Sequence, residues 1–355
     1  MTEKKLPKIM DCTLRDGSYV INFQFSAVDT ESLVSELDLL GIDYIEVGHG
    51  IGMGASLFFK PAAFSSDIEY MKAAAKASKK SKWGMFCIPG IATLDNVREA
   101  ADQGIDFIRI GTNFNDIKKS EAFISLSKKL NIEVCTNFMK SYVLPPEEFA
   151  EIALSSSKLG SDIIYIVDSS GGMTPKEVST YIRTTKDKAP NIKIGFHGHN
   201  NLGLGVANAL VCAEEEIEII DVSLQGFGRG GGNVPTEQLL CALLRSGYSF
   251  NIDPLKIMDL GELYIRPRIE RRGLCSLDTV SGLAQFHSSY MPIILEASKK
   301  FNVDPKKIIL KLCEEDKTNA TKINVENIAK NLNKLDLKIN ALYEERYYGE
   351  EQNPN

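Results

Sequence analysis

Histidine is scarce in this chain, with four in 355 residues, so the placement of each one carries information. The seven cysteines, Cys12, Cys87, Cys135, Cys212, Cys241, Cys275 and Cys313, are scattered and odd in number. No Cys-x-x-Cys pair occurs among them, which argues against a zinc ribbon or dithiol redox chemistry and fits buried thiols in a reducing compartment. Basic clusters are also missing, and the net charge of -6 excludes nucleic acid or an anionic membrane surface as the main partner. No stretch approaches about 18 uninterrupted apolar residues, and the charged start, Met1 to Lys8, has no apolar signal core. The expectation is a cytoplasmic protein without a membrane segment. What remains is ordinary for a globular chain, 43% hydrophobic and 25% charged, enough to bury a large core around a small-molecule site.

Short apolar runs alternate with amphipathic segments along most of the chain. Strands are predicted at Lys8–Leu14, Tyr44–Gly48, Trp83–Ile88, Phe107–Gly111, Ile132–Asn137, Ile163–Asp168, Ile192–His197 and Ile219–Leu224. Helices are predicted between them at Ser26–Leu40, Thr93–Gln103, Pro146–Leu159, Pro175–Ala189 and Leu202–Ala213, with Gly41, Gly104 and Gly160 as stop signals. A series of eight βα units favours a closed (β/α)8 TIM barrel over an open doubly wound sheet, which would need a topological switch point. After Gly247 the rhythm stops. Helices are then predicted at Pro254–Arg266, Gly282–Phe301, Asp304–Glu314 and Val325–Leu332. The expected organisation is a catalytic barrel over 1–250, a C-terminal helical domain closing the site over 251–342, and a frayed tail over 343–355.

Two of the histidines stand in Gly195-Phe196-His197-Gly198-His199-Asn200-Asn201, at the end of the seventh strand. Residues two apart on a strand share a face, so His197 and His199 aim together into the barrel mouth and can bind one metal. The plainer reading is a pair of hydrogen-bonded core histidines. A hard divalent ion also needs an anionic oxygen, and Asp16, just past the first strand in Asp11-Cys12-Thr13-Leu14-Arg15-Asp16-Gly17, can supply it. Catalytic groups of barrel enzymes come from this rim, where strands one and seven are two positions apart around the ring. Arg15 is either a rim salt bridge or a fork for the carboxylate and oxyanion of a 2-oxo acid. Past the eighth strand, Gly226-Phe227-Gly228-Arg229-Gly230-Gly231-Gly232-Asn233 matches the spacing of a dinucleotide fingerprint. That reading fails, because no later strand supplies the ribose-binding acid. A phosphate loop or a glycine-rich wall beside the metal remain, with Asn233 a candidate further ligand or substrate contact. Glu46 and His49 at the end of the second strand, and Asp168-Ser169-Ser170 at the end of the sixth, are either mouth residues or turn formers.

Together, Asp-Cys-Thr-Leu-Arg-Asp-Gly, His-Gly-His-Asn-Asn-Leu-Gly and the Gly-Asn loop resemble the metal-dependent pyruvate aldolase and carboligase barrels. That group includes 3-hydroxy-3-methylglutaryl-CoA lyase, 2-isopropylmalate synthase and 4-hydroxy-2-oxovalerate aldolase. Ile45-Glu46-Val47-Gly48-His49-Gly50, Leu202-Gly203-Leu204-Gly205-Val206-Ala207-Asn208 and Ser288-Ser289 are most similar to the last of these, over roughly residues 8 to 335. The resemblance implies a divalent metal, Mn2+ first with Mg2+ or Co2+ as alternatives, on Asp16, His197 and His199. It also implies an enolate neutralised by Arg15, with His49, Ser169 and Asn233 as substrate contacts. The activity implied is a class II aldolase reversibly cleaving a 4-hydroxy-2-oxo acid to pyruvate and an aldehyde.

One exchange departs from that family. Where it has a histidine three places after the ligand aspartate, this chain has Tyr19; where it has a tyrosine in the extension, this chain has His287. Expected roles are base for His287 and hydrogen-bond donor for Tyr19. Related aldolases hand their aldehyde to a partner aldehyde dehydrogenase, and the exchange weighs against that partnership here. The aldehyde stays open between acetaldehyde and something larger, such as a sugar-derived one. A homodimer is the default assembly. Two other readings compete: a Claisen-type acyl-CoA condensing enzyme or lyase on the same barrel, and a non-catalytic barrel, which would be expected to have a broken metal triad.

Overall fold

The computed structural model describes residues 6–114, 116–269 and 275–334; the expected tail from Tyr343 and the end of the extension drawn to 342 lie outside them. Eight parallel strands close into a barrel in sequence order: β1 Lys8–Asp11, β2 Tyr44–Val47, β3 Lys82–Cys87, β4 Phe107–Thr112, β5 Glu133–Phe138, β6 Ile163–Asp168, β7 Lys193–Gly198 and β8 Ile219–Val222. Closure is made by β1 against β8, in register from Lys8 opposite Ile219 to Asp11 opposite Val222. Alternation along each strand sorts the side chains into two cores. Ile45, Val47, Ile108, Ile110, Val134, Ile164, Ile166, Ile220 and Val222 face outward under the helices. Met10, Tyr44, Phe107, Cys135, Ile163, Tyr165, Val167 and Ile219 fill the barrel interior. Gly195 keeps that interior closed: a Cβ there would lie 2.5 Å from the Tyr165 ring.

The helices start and stop where local chemistry dictates. Ser26 with Asp29 opens α1 (Ala27–Leu40) through a reciprocal capping box, and Thr174 with Glu177 does the same for α6 (Pro175–Lys188). Gly41 closes α1 at φ 85°, and Gly160 closes α5 (Pro146–Leu159) at φ 112°. No helix among the described residues is long and apolar enough to cross a membrane.

Of the expected boundaries that shift, two matter most. β1 ends at Asp11 because the Cys12 carbonyl accepts from the backbone N–H groups of Arg15, Asp16 and Gly17, turning the chain into a 3-10 helix over Asp16–Ile21. The single helix expected at Gly282–Phe301 is two: α10 (Ser276–Ala284) stops at Gln285, which is left-handed at φ 56°, and α11 (Met291–Phe301) begins after a short 3-10 turn. Phe286 is buried in the break.

Past β8, α8 (Thr236–Arg245) ends the barrel helices, and α9 (Pro254–Leu260) buries Ile257 and Leu260 in the barrel's own outer core. The following helices, α10, α11, α12 (Pro305–Glu315) and α13 (Lys322–Lys330), enclose a second core around Met291, Ile294, Ile308, Ile309 and Val325. This unit is sewn to the C-terminal rim of the barrel. Asn201 Nδ2, after β7, donates to the Asp278 carbonyl at 3.1 Å, and Lys140 Nζ, after β5, donates to the Thr318 carbonyl at 3.1 Å.

Candidate active site

The turn that ends β1 presents Asp16 and Arg15 side by side at the barrel mouth. Both are buried, and Arg15 Nη1 donates to Asp16 Oδ1 at 2.8 Å while its Nε donates to Glu46 Oε2 at 2.7 Å. Burial works against ionising Asp16, but Arg15, His199, His197 and Arg229 overcome it and hold the carboxyl well below the usual carboxylate range. Asp16 is therefore an anion at any working pH. Its other oxygen accepts from Asn233 Nδ2 at 2.9 Å.

His197, on β7, and His199, just past it, meet Asp16 as a set whose ligand atoms lie within 4.8 Å of one another. Each ring is oriented through Nδ1. His197 Nδ1 lies 2.9 Å from Asp221 Oδ2, and His199 Nδ1 lies 3.3 Å from the Gly232 carbonyl. With the proton on Nδ1, both Nε2 lone pairs are free for a ligand. His199 Nε2 is buried and has no hydrogen-bond partner, an arrangement that costs free energy unless something occupies the position. Burial, opposed by Asp16, brings the His199 pKa down to about 3, so this ring is neutral as a metal ligand requires. Two imidazole nitrogens and a carboxylate suit a divalent ion such as Mn2+, Mg2+ or Co2+. A second cluster, Cys12 with His197 and Asp221, is less suited. Burial keeps the Cys12 thiol protonated and it donates to the Val222 carbonyl, while Asp221 is engaged by Arg109.

Beneath the mouth runs a chain of alternating buried charges. Arg15 pairs with Glu46, and Glu46 pairs with Arg109 Nη1 at 2.9 Å. Arg109 Nη2 then pairs with Asp221 at 2.7 Å, and Asp221 holds His197. Arg109 and Glu46 are both 0% exposed, so each charge is tolerable only because its neighbours are present. The sequence reading did not single out Arg109 or Asp221. The available signal was a charged residue at an inward position of an otherwise apolar strand, as in Phe-Ile-Arg-Ile and Ile-Ile-Asp-Val.

A small pocket opens beside these groups, lined by Arg15, Asp16, Tyr19, Gly50, Phe86, Ile88, Asn137, Met139, Val167, Ser169, His197 and Arg229. Tyr19 and Ser169 thus stand on the wall. Asn233 stands behind it, against Asp16, with its Oδ1 buried and without a hydrogen-bond partner. His49 is placed elsewhere: its ring stacks on Phe23 at 3.8 Å, its Nδ1 accepts from the Ile51 N–H, and burial lowers its pKa to about 4. Asp168 accepts from the Gly172 and Met173 N–H groups and Ser170 Oγ, and so takes the turn-forming role. His287 lies in the break between α10 and α11, fully buried, with Nδ1 against Ser289 Oγ at 2.7 Å and Nε2 3.4 Å from Arg229 Nη2. Burial, then Arg229 and Lys140, push its pKa well below the usual imidazole value. Arg229 lies over the Tyr19 ring at 5.2 Å, so the exchanged pair, Tyr19 and His287, flank one guanidinium.

The HMGL-like family profile matches residues 6–263. The 4-hydroxy-2-oxovalerate aldolase of Geobacillus genomosp. 3 is 36% identical over 310 residues, 87% of this chain and 92% of that protein. Its counterpart in Bacillus cereus is 33% identical over 333 residues, 94% of this chain and 97% of that one. Among solved structures, the N-terminal domain of a protein from Bacteroides vulgatus provisionally called an aldolase superimposes with a TM-score of 0.67 at 27% identity. It covers 79% of this chain and 93% of that one. The carboxyl transferase domain of Rhizobium etli pyruvate carboxylase shares the fold, with a TM-score of 0.74 at 15% identity over 93% of this chain and 60% of that one. Its barrel, its Asp16–His197–His199 cluster and these matches agree, and the chain belongs to the HMGL-like family.

Proposed function

We propose that this chain is a divalent-metal-dependent aldolase, a carbon–carbon lyase that reversibly cleaves a 4-hydroxy-2-oxo acid to pyruvate and an aldehyde. The observation that carries this reading is the meeting of Asp16, His197 and His199 within ligand distance of one another, with the Arg15 guanidinium hydrogen-bonded to Asp16. Relatives bearing the aldolase name align over 86% to 94% of this chain, extension included, which supports it over a Claisen-type enzyme. Asp16, His197 and His199 would hold the ion, with Mn2+ proposed first. When bound, it supplies Lewis-acid polarisation of a 2-oxo group, so no Schiff-base lysine is required.

The chain's own residues divide the remaining work. Arg15, fixed by Glu46 and Asp16, keeps a cation on the pocket wall for the carboxylate and developing enolate oxygen of pyruvate. Phe86, Ile88, Met139 and Val167 keep the wall around it apolar and exclude water. Ser169 and Asn137 offer hydrogen bonds to substrate oxygens from the ends of β6 and β5. Tyr19, also on the wall, is the proposed donor to the oxygen of the carbon that becomes the aldehyde. The base role expected of His287 needs a free Nε2 at the pocket. Arg229 stands against that atom, and His287 is proposed instead to act through Arg229 as a positioning residue. The helical unit that begins with α10 closes the mouth, through the contacts of Asn201, Lys140 and Arg229.

The experiment is pyruvate methyl-proton exchange in D2O, followed by NMR, with the protein loaded with Mn2+, together with mass analysis of products from pyruvate and a panel of aldehydes. Exchange and a 4-hydroxy-2-oxo acid product are expected. The absence of both proton exchange and any adduct would falsify enolate chemistry at this site.

A further inference from the structure

We propose that Asn137, at the end of β5, is the donor that recognises the carboxylate of the 2-oxo acid, and that Arg109 is the positioning residue that turns the Asn137 NH2 into the pocket. This rests on the aldolase reading above and names the group of the first substrate that the inner wall selects.

Arg109 is fully buried, and its guanidinium meets three oxygen acceptors. Nη1 pairs with Glu46 Oε2 at 2.9 Å and Nη2 with Asp221 Oδ2 at 2.7 Å, while the group is held 4.4 Å over the Tyr165 ring. The remaining donor, Nε, reaches Asn137 Oδ1 at 3.3 Å. A guanidinium only donates, so an Asn137 amide turned the other way would set NH2 against N–H and leave a buried donor unmet. The amide oxygen is therefore fixed toward Arg109. Asn137 is 2% exposed, lines the pocket and makes no other side-chain hydrogen bond among the described residues, so its NH2 is the end it presents there.

Ser169, past the end of the neighbouring strand β6, is placed alike. Its Oγ accepts from the Lys140 backbone N–H at 3.2 Å, which leaves the hydroxyl proton for the pocket. Asn137 and Ser169 thus give this wall two donors beside the apolar Phe86 and Val167. A group that only accepts satisfies both, and an ionised carboxylate is such a group, whereas a carboxamide brings an NH2 of its own against a donor. The cation that fixes Arg15 through Glu46 and His197 through Asp221 therefore has a third branch, which sets the polarity of the substrate wall.

The test uses the full chain loaded with Mn2+, with pyruvate methyl-proton exchange in D2O as the reaction and pyruvamide, the uncharged amide of similar shape, as the comparison substrate. Asn137→Asp keeps the oxygen that Arg109 Nε needs and turns the pocket-facing donor into a charged acceptor. Its Tm should lie nearer wild type than that of Asn137→Ala, which loses the contact with Arg109. Its kcat/KM for pyruvate should nevertheless fall by about 100-fold, through KM, and its preference for pyruvate over pyruvamide by about tenfold or more. Asn137→Ala should raise KM for pyruvate by about tenfold with kcat little changed, and lower the same preference by about fivefold. Should Asn137→Asp fail to fold, the preference measured in Asn137→Ala decides. An Asp variant less stable than the Ala variant, a loss confined to kcat, or a pyruvate preference unchanged from wild type would each overturn the proposal. Wild-type exchange separates the two readings: exchange that survives both substitutions sinks only this one, whereas no exchange in wild type sinks the aldolase reading as well.

Discussion

Asp221→Asn tests whether the buried charge chain governs the metal. Asp221 Oδ2 lies 2.9 Å from His197 Nδ1 and 2.7 Å from Arg109 Nη2, and the pairing holds its own carboxyl below the usual range despite burial. Asparagine has the same outline and can put its one acceptor oxygen where Oδ2 meets both donors, but it brings no charge, and its amide NH2 would take the place of a buried oxygen that has no hydrogen-bond partner. Loss of a carboxylate behind a ligand histidine costs about 10- to 100-fold in metal affinity, or roughly 1.4–2.7 kcal/mol. The fold also suffers, since of the two carboxylates paired with Arg109 only Glu46 remains, beside the hydrogen bond to Asn137. A wholly unpaired buried charge costs about 3–5 kcal/mol, and one remaining partner puts the expected loss near the lower end. The two effects separate in the presence of metal. At about 100 times the wild-type Kd, wild type gains about 2.7 kcal/mol; a variant binding 100-fold more weakly gains about 0.4. The gap in Tm between them should thus widen on adding Mn2+, by roughly 5–9 °C at about 2–4 °C per kcal/mol. Calorimetric titration of metal-stripped protein gives the affinities directly. A folded variant that binds Mn2+ within twofold of wild type, with the same Tm gap at every metal concentration, refutes the role given to Asp221.

Two further outcomes follow from the same interior. Gly228→Ala would place a Cβ 2.5 Å from Asn233 Nδ2 and push that amide off Asp16, to which it donates at 2.9 Å. Aldol cleavage should drop by about tenfold or more while Tm moves only a few degrees; the reverse pattern would show the loop to be merely structural. Asp11, the last residue of β1, is fully buried, and burial raises its pKa to about 7, against the hydrogen bonds from Thr13. The folded state therefore binds a proton that the unfolded state has lost. This contribution to stability is complete below about pH 4 and disappears as pH rises toward 7. Urea unfolding of Asp11→Asn should show that downward component removed across this window, and an unchanged profile relative to wild type counts against it.

Much of this was legible in the chain because barrel strands announce themselves as short apolar runs, and the meeting of Asp16, His197 and His199 because the two histidines share strand parity. The failures have physical causes. Cys12-Thr13-Leu14 reads as strand, yet the Cys12 carbonyl collects three N–H donors and ends the pairing. The stretch 282–301 reads as one helix, but the left-handed Gln285 ends α10 and Pro292, a start signal present in the sequence, stands in the first turn of α11. Arg109 and Asp221 escaped because a charge inside a strand looks like a surface position until the opposite wall of the barrel supplies its counter-charge. Arg229 was hidden among glycines, where the eye goes to the backbone. His287 was found as a residue but not as a geometry, since its role depends on the loop after β8 reaching across to it.

The run from Arg15 through Glu46, Arg109 and Asp221 to His197 draws on strands scattered around the ring. A consequence is evolutionary. No member can change its sign alone without stranding a neighbour, so tolerated substitutions must arrive in compensating sets, and their effects will be epistatic rather than additive.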